Sequence, residues 1–190
     1  MVNFQEDIRT AVDFLKKGET ILYPSDTIWG LGCDATQTEA VEKLLNIKGR
    51  NVEKGLIILV AHVHDIQRYV QEVPALAYDM IEFAEKPLTL VLEKGIHVSP
   101  LVLKENQSIA IRWVKSGYAH ELIKAYKKPL VSTSANISGE PFPGNFSEIS
   151  EILKSRVAYI AGKESDFKNI NTPSTIIRLD NNGSFEFIRR

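Results

Sequence analysis

Three stretches of this chain concentrate side chains that can do chemistry. Ser132-Thr133-Ser134-Ala135-Asn136-Ile137-Ser138-Gly139 follows the apolar run Lys128-Pro129-Leu130-Val131 and gathers hydroxyls and an amide at a strand end. In an α/β sheet ligands collect at such strand ends, and these donors and acceptors suit a phosphate or a polar small molecule. The same residue types also bond to nearby backbone, so a capped turn fits them equally. Tyr23-Pro24-Ser25-Asp26-Thr27-Ile28-Trp29-Gly30-Leu31-Gly32 leaves a second strand and reads as one loop carrying hydroxyls, a carboxylate and two glycines. A Gly-x-Gly without a third glycine is no dinucleotide fingerprint, and the chain has no Gly-x-x-x-x-Gly-Lys-Ser/Thr loop. A bound nucleotide must therefore be held by scattered side chains. The third stretch, Lys48-Gly49-Arg50-Asn51-Val52-Glu53-Lys54-Gly55, offers one guanidinium fork and two point charges suited to a triphosphate. Such cations also complement the C-terminal dipole of a helix.

The elements that must position these groups can be read from periodicity. Phe4 to Lys17 carries Ile8, Ala11, Val12 and Leu15 on one helical stripe, stopped by Gly18. Thr20 to Tyr23 reads as a strand cut off by Pro24, and Glu39 to Ile47 as a helix with Thr36 or Thr38 as cap. Leu56 to Val60 is continuously apolar, the mark of a strand buried on both faces. Helical stretches are expected at Asp65–Gln71, Ala75–Glu85, Ala119–Tyr126 and Ser147–Ser155. Strands are expected at Leu88–Leu92, Ser108–Trp113, Leu130–Thr133, Val157–Ala161, Thr175–Leu179 and Phe185–Ile188. Asn181-Asn182-Gly183 joins the last two as a hairpin turn. Alternating strands and helices with a terminal hairpin predict an α/β fold: one domain over residues 1–190, a twisted mixed sheet flanked by helices.

Composition narrows the classes. The 190 residues are 44% apolar and 25% charged, and the formal net charge of −1 argues against non-specific coating of nucleic acid. A local basic groove stays possible, because the 23 Lys and Arg can cluster on one face. Cys33 is the single cysteine, which excludes an intramolecular disulfide and a thiolate metal site. The four histidines, His62, His64, His97 and His120, do not form a ligand cluster by spacing. The N-terminus is acidic where a secretory signal is basic, and Leu56 to Ala61 is too short to span a bilayer. A soluble cytoplasmic protein without membrane partners is expected.

Taken in order, the motifs resemble the YrdC/TsaC family of threonylcarbamoyl-AMP synthases. The similarity runs through the Tyr23–Gly32 loop, Lys48-x-Arg50 entering an apolar strand, and Pro87-Leu88-Thr89-Leu90-Val91-Leu92. It continues through Arg112 ending a strand, Ser132–Gly139, and Pro173-Ser174-Thr175-Ile176. Ser25 stands where the family has threonine, Asn51 where many members have proline, and Trp113-Val114 where a residue-Pro pair is usual. Leu59 occupies a position where some relatives carry histidine, which leaves a histidine contact to the amino acid without a counterpart.

The resemblance implies a YrdC-like fold with a basic concave site. The implied reaction joins L-threonine, bicarbonate and ATP into threonylcarbamoyl-AMP and pyrophosphate, with Mg²⁺ on the triphosphate. The product would pass to a transferase complex that makes N6-threonylcarbamoyladenosine in tRNA. By position, Thr27, Arg112, Ser132 and Ser174 would bind threonine, with Arg112 on its carboxylate. Lys48 and Arg50 would be catalytic and, with Lys54, would hold the phosphates; Ser108, Ser134, Asn136, Phe142 and Arg189 would complete the ATP site. The alternative is a module that binds double-stranded RNA or tRNA through the same basic groove. A carbamoyl-adenylate domain of hydrogenase-maturation carbamoyltransferases is a further, weaker fit.

Overall fold

The computed structural model of the chain describes residues 3–49, 56–104, 106–163 and 172–190. In chain order the elements are α1 (Phe4–Lys16), β1 (Ile21–Pro24), β2 (Trp29–Asp34), α2 (Thr38–Lys48) and β3 (Ile57–Val60). Then follow α3 (Ala75–Glu82), β4 (Leu88–Leu92), β5 (Ile109–Trp113), α4 (Tyr118–Tyr126) and β6 (Leu130–Ser134). The last are α5 (Glu151–Arg156), β7 (Tyr159–Ile160), β8 (Thr175–Leu179) and β9 (Phe185–Arg189). All the strands belong to one sheet in the order β7-β1-β2-β6-β3-β5-β4-β8-β9. The β1–β7, β3–β5 and β4–β8 pairs are parallel and the remaining five antiparallel, so the expected mixed sheet is observed.

Two apolar cores lie on opposite faces. One packs β-strand residues such as Leu31, Ile58, Leu90 and Ile111 against α2, α3 and α5; the other packs Ile21, Tyr23, Leu59 and Leu130 against α1 and α4. Ile58 and Leu59 thus enter different cores, which is why β3 reads as an unbroken apolar run. The core under α1 and α4 takes nothing from β4, β8 or β9. On that face, among the described residues, one half of the sheet carries helices and the other half carries none. The bare half is the floor of the cavity described below.

Several local expectations change. Trp29–Asp34 is a six-residue strand, not a loop, and Pro24 pairs with Trp29 at the tip of the β1–β2 hairpin. Its two glycines weakened the strand signal but are needed for packing: a Cβ on Gly32 would sit 2.5 Å from the Val131 carbonyl and 2.7 Å from the Tyr23 ring. Neither Thr36 nor Thr38 caps α2; Gln37 does so without a side-chain bond, and Thr36 turns back to Asp34 through its N–H and hydroxyl. The Asp65–Gln71 stretch is a 3₁₀ turn over Val63–Arg68. The Ser147–Ser155 stretch splits into a 3₁₀ turn and α5. The Val157–Ala161 strand shortens to Tyr159–Ile160.

Candidate active site

Strand alternation sends every second residue of the bare half onto one face. Val91 of β4, Ala110 and Arg112 of β5, and Ile176 of β8 therefore form a common floor, joined by Ile188 and Arg189 of β9. Ser132 and Ser134 at the end of β6, and the turn between β1 and β2, make the opposite wall. The enclosed volume is about 290 Å³. Among the described residues its lining includes the cations Lys104, Arg112 and Arg189, and no carboxylate.

The β1–β2 turn is fixed from within by one hydroxyl. Ser25 Oγ donates to the Ile28 carbonyl at 2.7 Å, accepts from Thr27 N–H at 3.1 Å, and lies 2.9 Å from Thr27 Oγ1. Serine has one hydroxyl proton, and Ile28 takes it, so Thr27 must donate in the hydroxyl pair. Thr27 Oγ1 then has only lone pairs left for a ligand. Behind this turn the Tyr23 ring lies across Gly30 and Gly32, where any Cβ would crowd it. Burial pushes the Tyr23 phenol far above its usual range, and its hydroxyl adjoins Ser132 without an aligned hydrogen bond.

Arg112, 4% exposed, forms an ion pair with Asp26 at 3.0 Å. The alignment does not make a hydrogen bond: Asp26 Oδ1 and Arg112 Nε are both buried without partners. Arg189 is tied down by donating from Nε and Nη2 to the Ser174 carbonyl at 3.0 and 2.9 Å. Burial, and then the charge of Arg112, hold the Arg189 guanidinium below its ordinary pKa. Two guanidiniums repelling each other across one cavity make a receptor for anions. Thr89 Oγ1, fully buried, completes the floor by sharing a 2.8 Å hydrogen bond with Ser174 Oγ.

At the end of β6 the loop is wired by a lysine. Lys48, 2% exposed, donates to the carbonyls of Ser134 and Asn136 and to Asn136 Oδ1, at 2.8, 2.5 and 2.9 Å. Asn136 Oδ1 also accepts from Ser134 Oγ, and Asn136 Nδ2 donates to the Glu140 carbonyl. Ser134, Asn136 and Glu140 are thereby tied together along the rim.

Of the residues singled out in the sequence, Thr27, Arg112, Ser132, Ser134, Phe142, Ser174 and Arg189 line this cavity. Phe142 stands at its mouth, 42% exposed. Ser108 and Asn136 adjoin it without lining it; Ser108 Oγ is buried and unpartnered at the start of β5. Lys48 lies beneath the rim, not in the lining, and Arg50 and Lys54 fall outside the described residues. The sequence reading did not single out Ser25, Asp26, Thr89 and Lys104 as site residues; Ser25 and Lys104 line the cavity, and Asp26 and Thr89 contact its lining residues Arg112 and Ser174. The first three sat inside quoted motifs; Lys104 had no signal.

Residues 13–190 match the Sua5/YciO/YrdC family, described as "Telomere recombination". A threonylcarbamoyl-AMP synthase of Vibrio campbellii is 33% identical over 173 residues, covering 89% of this chain and 91% of the relative. A threonylcarbamoyl-AMP synthase of Pyrococcus abyssi is 32% identical over 174 residues, covering 90% of this chain and 50% of the relative. P. abyssi Sua5 complexed with L-threonine superposes with a TM-score of 0.83 at 28% identity, over 94% of this chain and 52% of that one. This chain thus spans about half of the archaeal protein. Escherichia coli YciO shares the fold at a TM-score of 0.82 and 23% identity, covering 98% and 89% of the two chains. With nearly its whole length inside the match and its motifs converging on one cavity, the chain belongs to the Sua5/YciO/YrdC family.

Proposed function

We propose that this chain is a nucleotidyltransferase that makes threonylcarbamoyl-AMP from L-threonine, bicarbonate and ATP. One observation carries the reading: segments from residues 25–30, 104–112, 132–142 and 173–189 meet around one cavity rich in cations and hydroxyls. Relatives named threonylcarbamoyl-AMP synthase, matched over most of both chains, support the same chemistry.

In this reading Arg112 receives the threonine carboxylate, and Thr27, Ser132 and Ser174 surround the amino acid. The uncharged amine adds to carbon dioxide derived from bicarbonate, releasing one proton and leaving a carbamate. A carbamate oxygen then bonds to the α-phosphorus of ATP, and the bond to the bridging oxygen breaks to release pyrophosphate. No covalent enzyme intermediate is required; alignment of two anions and neutralisation of the leaving group are enough. Arg189 and Lys104, with Arg50 and Lys54, supply that positive charge. Lys48 contributes by holding Ser134 and Asn136 in place. Mg²⁺ would enter with ATP, held mostly by phosphate oxygens and water. The product would go to an enzyme that transfers the threonylcarbamoyl group to tRNA. Among the described residues no helix is long and apolar enough to cross a membrane.

The test is pyrophosphate release from ATP with threonine and bicarbonate supplied together and singly. Release that needs both is expected. Absence of threonine-dependent release, with ATP binding intact, overturns the reading.

A further inference from the structure

The Asp26–Arg112 pair is a charge pair whose hydrogen-bonding capacity is only partly used. Their charged atoms approach to 3.0 Å, yet Asp26 Oδ1 accepts no aligned bond and Arg112 Nε donates none. Buried polar atoms left without partners are few in folded proteins, and each is costly. Here each member of one ion pair keeps an unpartnered polar atom, with Asp26 Oδ1 3.0 Å from Arg112 Nη2. Asp26 keeps 16% of its side chain open, and its chain neighbours Ser25 and Thr27 both line the cavity.

A cation and an anion held this close form a template for a ligand that carries both charges at a similar spacing. A free α-amino acid is such a ligand, with its carboxylate and ammonium separated by one carbon. We propose that Asp26 receives the α-ammonium of the amino acid while Arg112 takes its carboxylate, so that the site reads the zwitterion. This rests on the amino-acid substrate proposed above and adds the residue that recognises its nitrogen.

The surrounding turn fits that role. An ammonium has three donors and needs several acceptors. Thr27 Oγ1, its proton already committed to Ser25, supplies a second acceptor beside Asp26. Because Ser25 locks the turn, these acceptors stand in place before the ligand arrives, which lowers the ordering cost of binding. The pair also excludes. A carboxylic acid without the amine, or an amino acid whose nitrogen is already acylated, leaves Asp26 without a partner and is disfavoured. Once carbamoylated, the nitrogen carries no positive charge, so the clamp holds the substrate and releases its grip on the product.

Calorimetric titration can separate this role from simple positioning of Arg112. The ligands are L-threonine and its analogue in which a hydroxyl replaces the ammonium, titrated into the wild type, Asp26→Asn and Asp26→Glu. The wild type should prefer threonine by about 10- to 100-fold, as a charged hydrogen bond implies. Asp26→Asn should bring the two affinities close to each other, and Asp26→Glu should restore part of the preference. Equal weakening of both ligands by Asp26→Asn, or no preference in the wild type, overturns the proposal and leaves the synthase reading standing. The wild-type comparison decides by itself if a variant fails to fold. An Asp26-dependent preference for a different free α-amino acid keeps the clamp and removes threonine as its ligand. If ATP binds but no α-amino acid does, both readings fall.

Discussion

Strand β2 starts beside one carboxylate and ends in another, and the two are used in opposite ways. Asp34, with no exposed surface, accepts five hydrogen bonds, from Thr36 N–H and hydroxyl, Gln37 Nε2, Tyr126 hydroxyl and Lys128 Nζ. Asp26 has Arg112 and an oxygen that no donor addresses. The contrast extends beyond the two acids. The buried side-chain atoms without partners among the described residues are on Tyr23, Asp26, Ser108, Arg112 and Arg178. Arg112 lines the cavity, Tyr23 and Asp26 lie against it, Ser108 adjoins it, and Arg178 pairs in register with the lining residue Val91. The Asp34 carboxylate is satisfied by the fold, whereas the unpartnered polar atoms gather on or near the residues that line the cavity. Hydrogen-bonding capacity therefore separates the carboxylate that braces the fold from the one proposed to meet a ligand, where residue type and strand position do not.

The contrast can be broken most forcefully at its satisfied end. Asp34→Ala removes the acceptor of five hydrogen bonds and leaves the buried Tyr126 hydroxyl only its long 3.4 Å contact to the Leu15 carbonyl, and should destabilise the protein by about 3–5 kcal/mol. That corresponds to a fall in melting temperature of about 10 °C for a chain of this length. Pyrophosphate release per folded molecule should be unchanged. The same residue sets a pH dependence. Burial alone would raise the Asp34 pKa, but bonds from Tyr126, Thr36 and Lys128 outweigh it and hold it below its ordinary 3.8. A folded-state pKa below the unfolded one gives stability that is complete above the unfolded value and fades as pH falls through the folded one. Wild type should accordingly lose stability in acid below about pH 4, and Asp34→Ala should lose less over the same interval. A variant with wild-type stability would end the claim that this carboxylate is structural.

The opposite result is expected at the unsatisfied end. Arg112→Met keeps side-chain bulk and removes a buried charge that repels Arg189. Removing one partner of a buried pair leaves Asp26 uncompensated, but its 16% exposure and the relief of repulsion on Arg189 should keep the stability cost below that of Asp34→Ala. Catalytic efficiency toward threonine should nevertheless drop by about 100-fold or more, the loss of a charge-assisted carboxylate contact. Thermal melting and steady-state kinetics on one preparation measure both. A large stability loss with modest kinetic change would mean that Arg112 belongs with Asp34 as a builder of the fold.

The legible parts of this protein were local, and the illegible parts depended on distance. The Ser132–Gly139 segment, Thr27 and Arg112 suggested a ligand site through their residue types and order, and Ser132, Thr133 and Ser134 do meet Thr27 and Arg112 in one cavity. Helices α1 and α4 could be read from periodicity, but nothing in a periodic pattern says that they cover only half of a sheet face. Lys48 reads as a phosphate ligand because its sequence neighbours are cationic; its ammonium bonds carbonyls of residues 86 and 88 positions away, contacts that no local pattern announces. The β2 strand was hidden because Gly30 and Gly32 answer to the Tyr23 ring, a packing partner invisible to strand propensity. Asp26 stood in a quoted motif, yet its importance rests on Arg112 approaching it from β5.

The finest test of the contrast lies between the two classes, at Thr89. It is fully buried like Asp34, but its hydroxyl shares a 2.8 Å bond with Ser174 Oγ, which lines the cavity. Arg189 Nη2 approaches the same Ser174 oxygen at 3.4 Å, a weak contact that cannot hold the hydroxyl alone. Thr89→Val preserves the β-branched shape that packs in the strand and removes only the hydroxyl. The stability cost should be small, about 1 kcal/mol, because one neutral hydrogen bond is lost. If Thr89 serves the fold alone, kinetics should not move. If it holds Ser174 toward the ligand, KM for threonine should rise a few-fold with kcat nearly constant, and Thr89→Ser should recover it. The second pattern is expected, since Ser174 keeps its place through the Arg189–carbonyl bonds but loses the partner that fixes its rotamer.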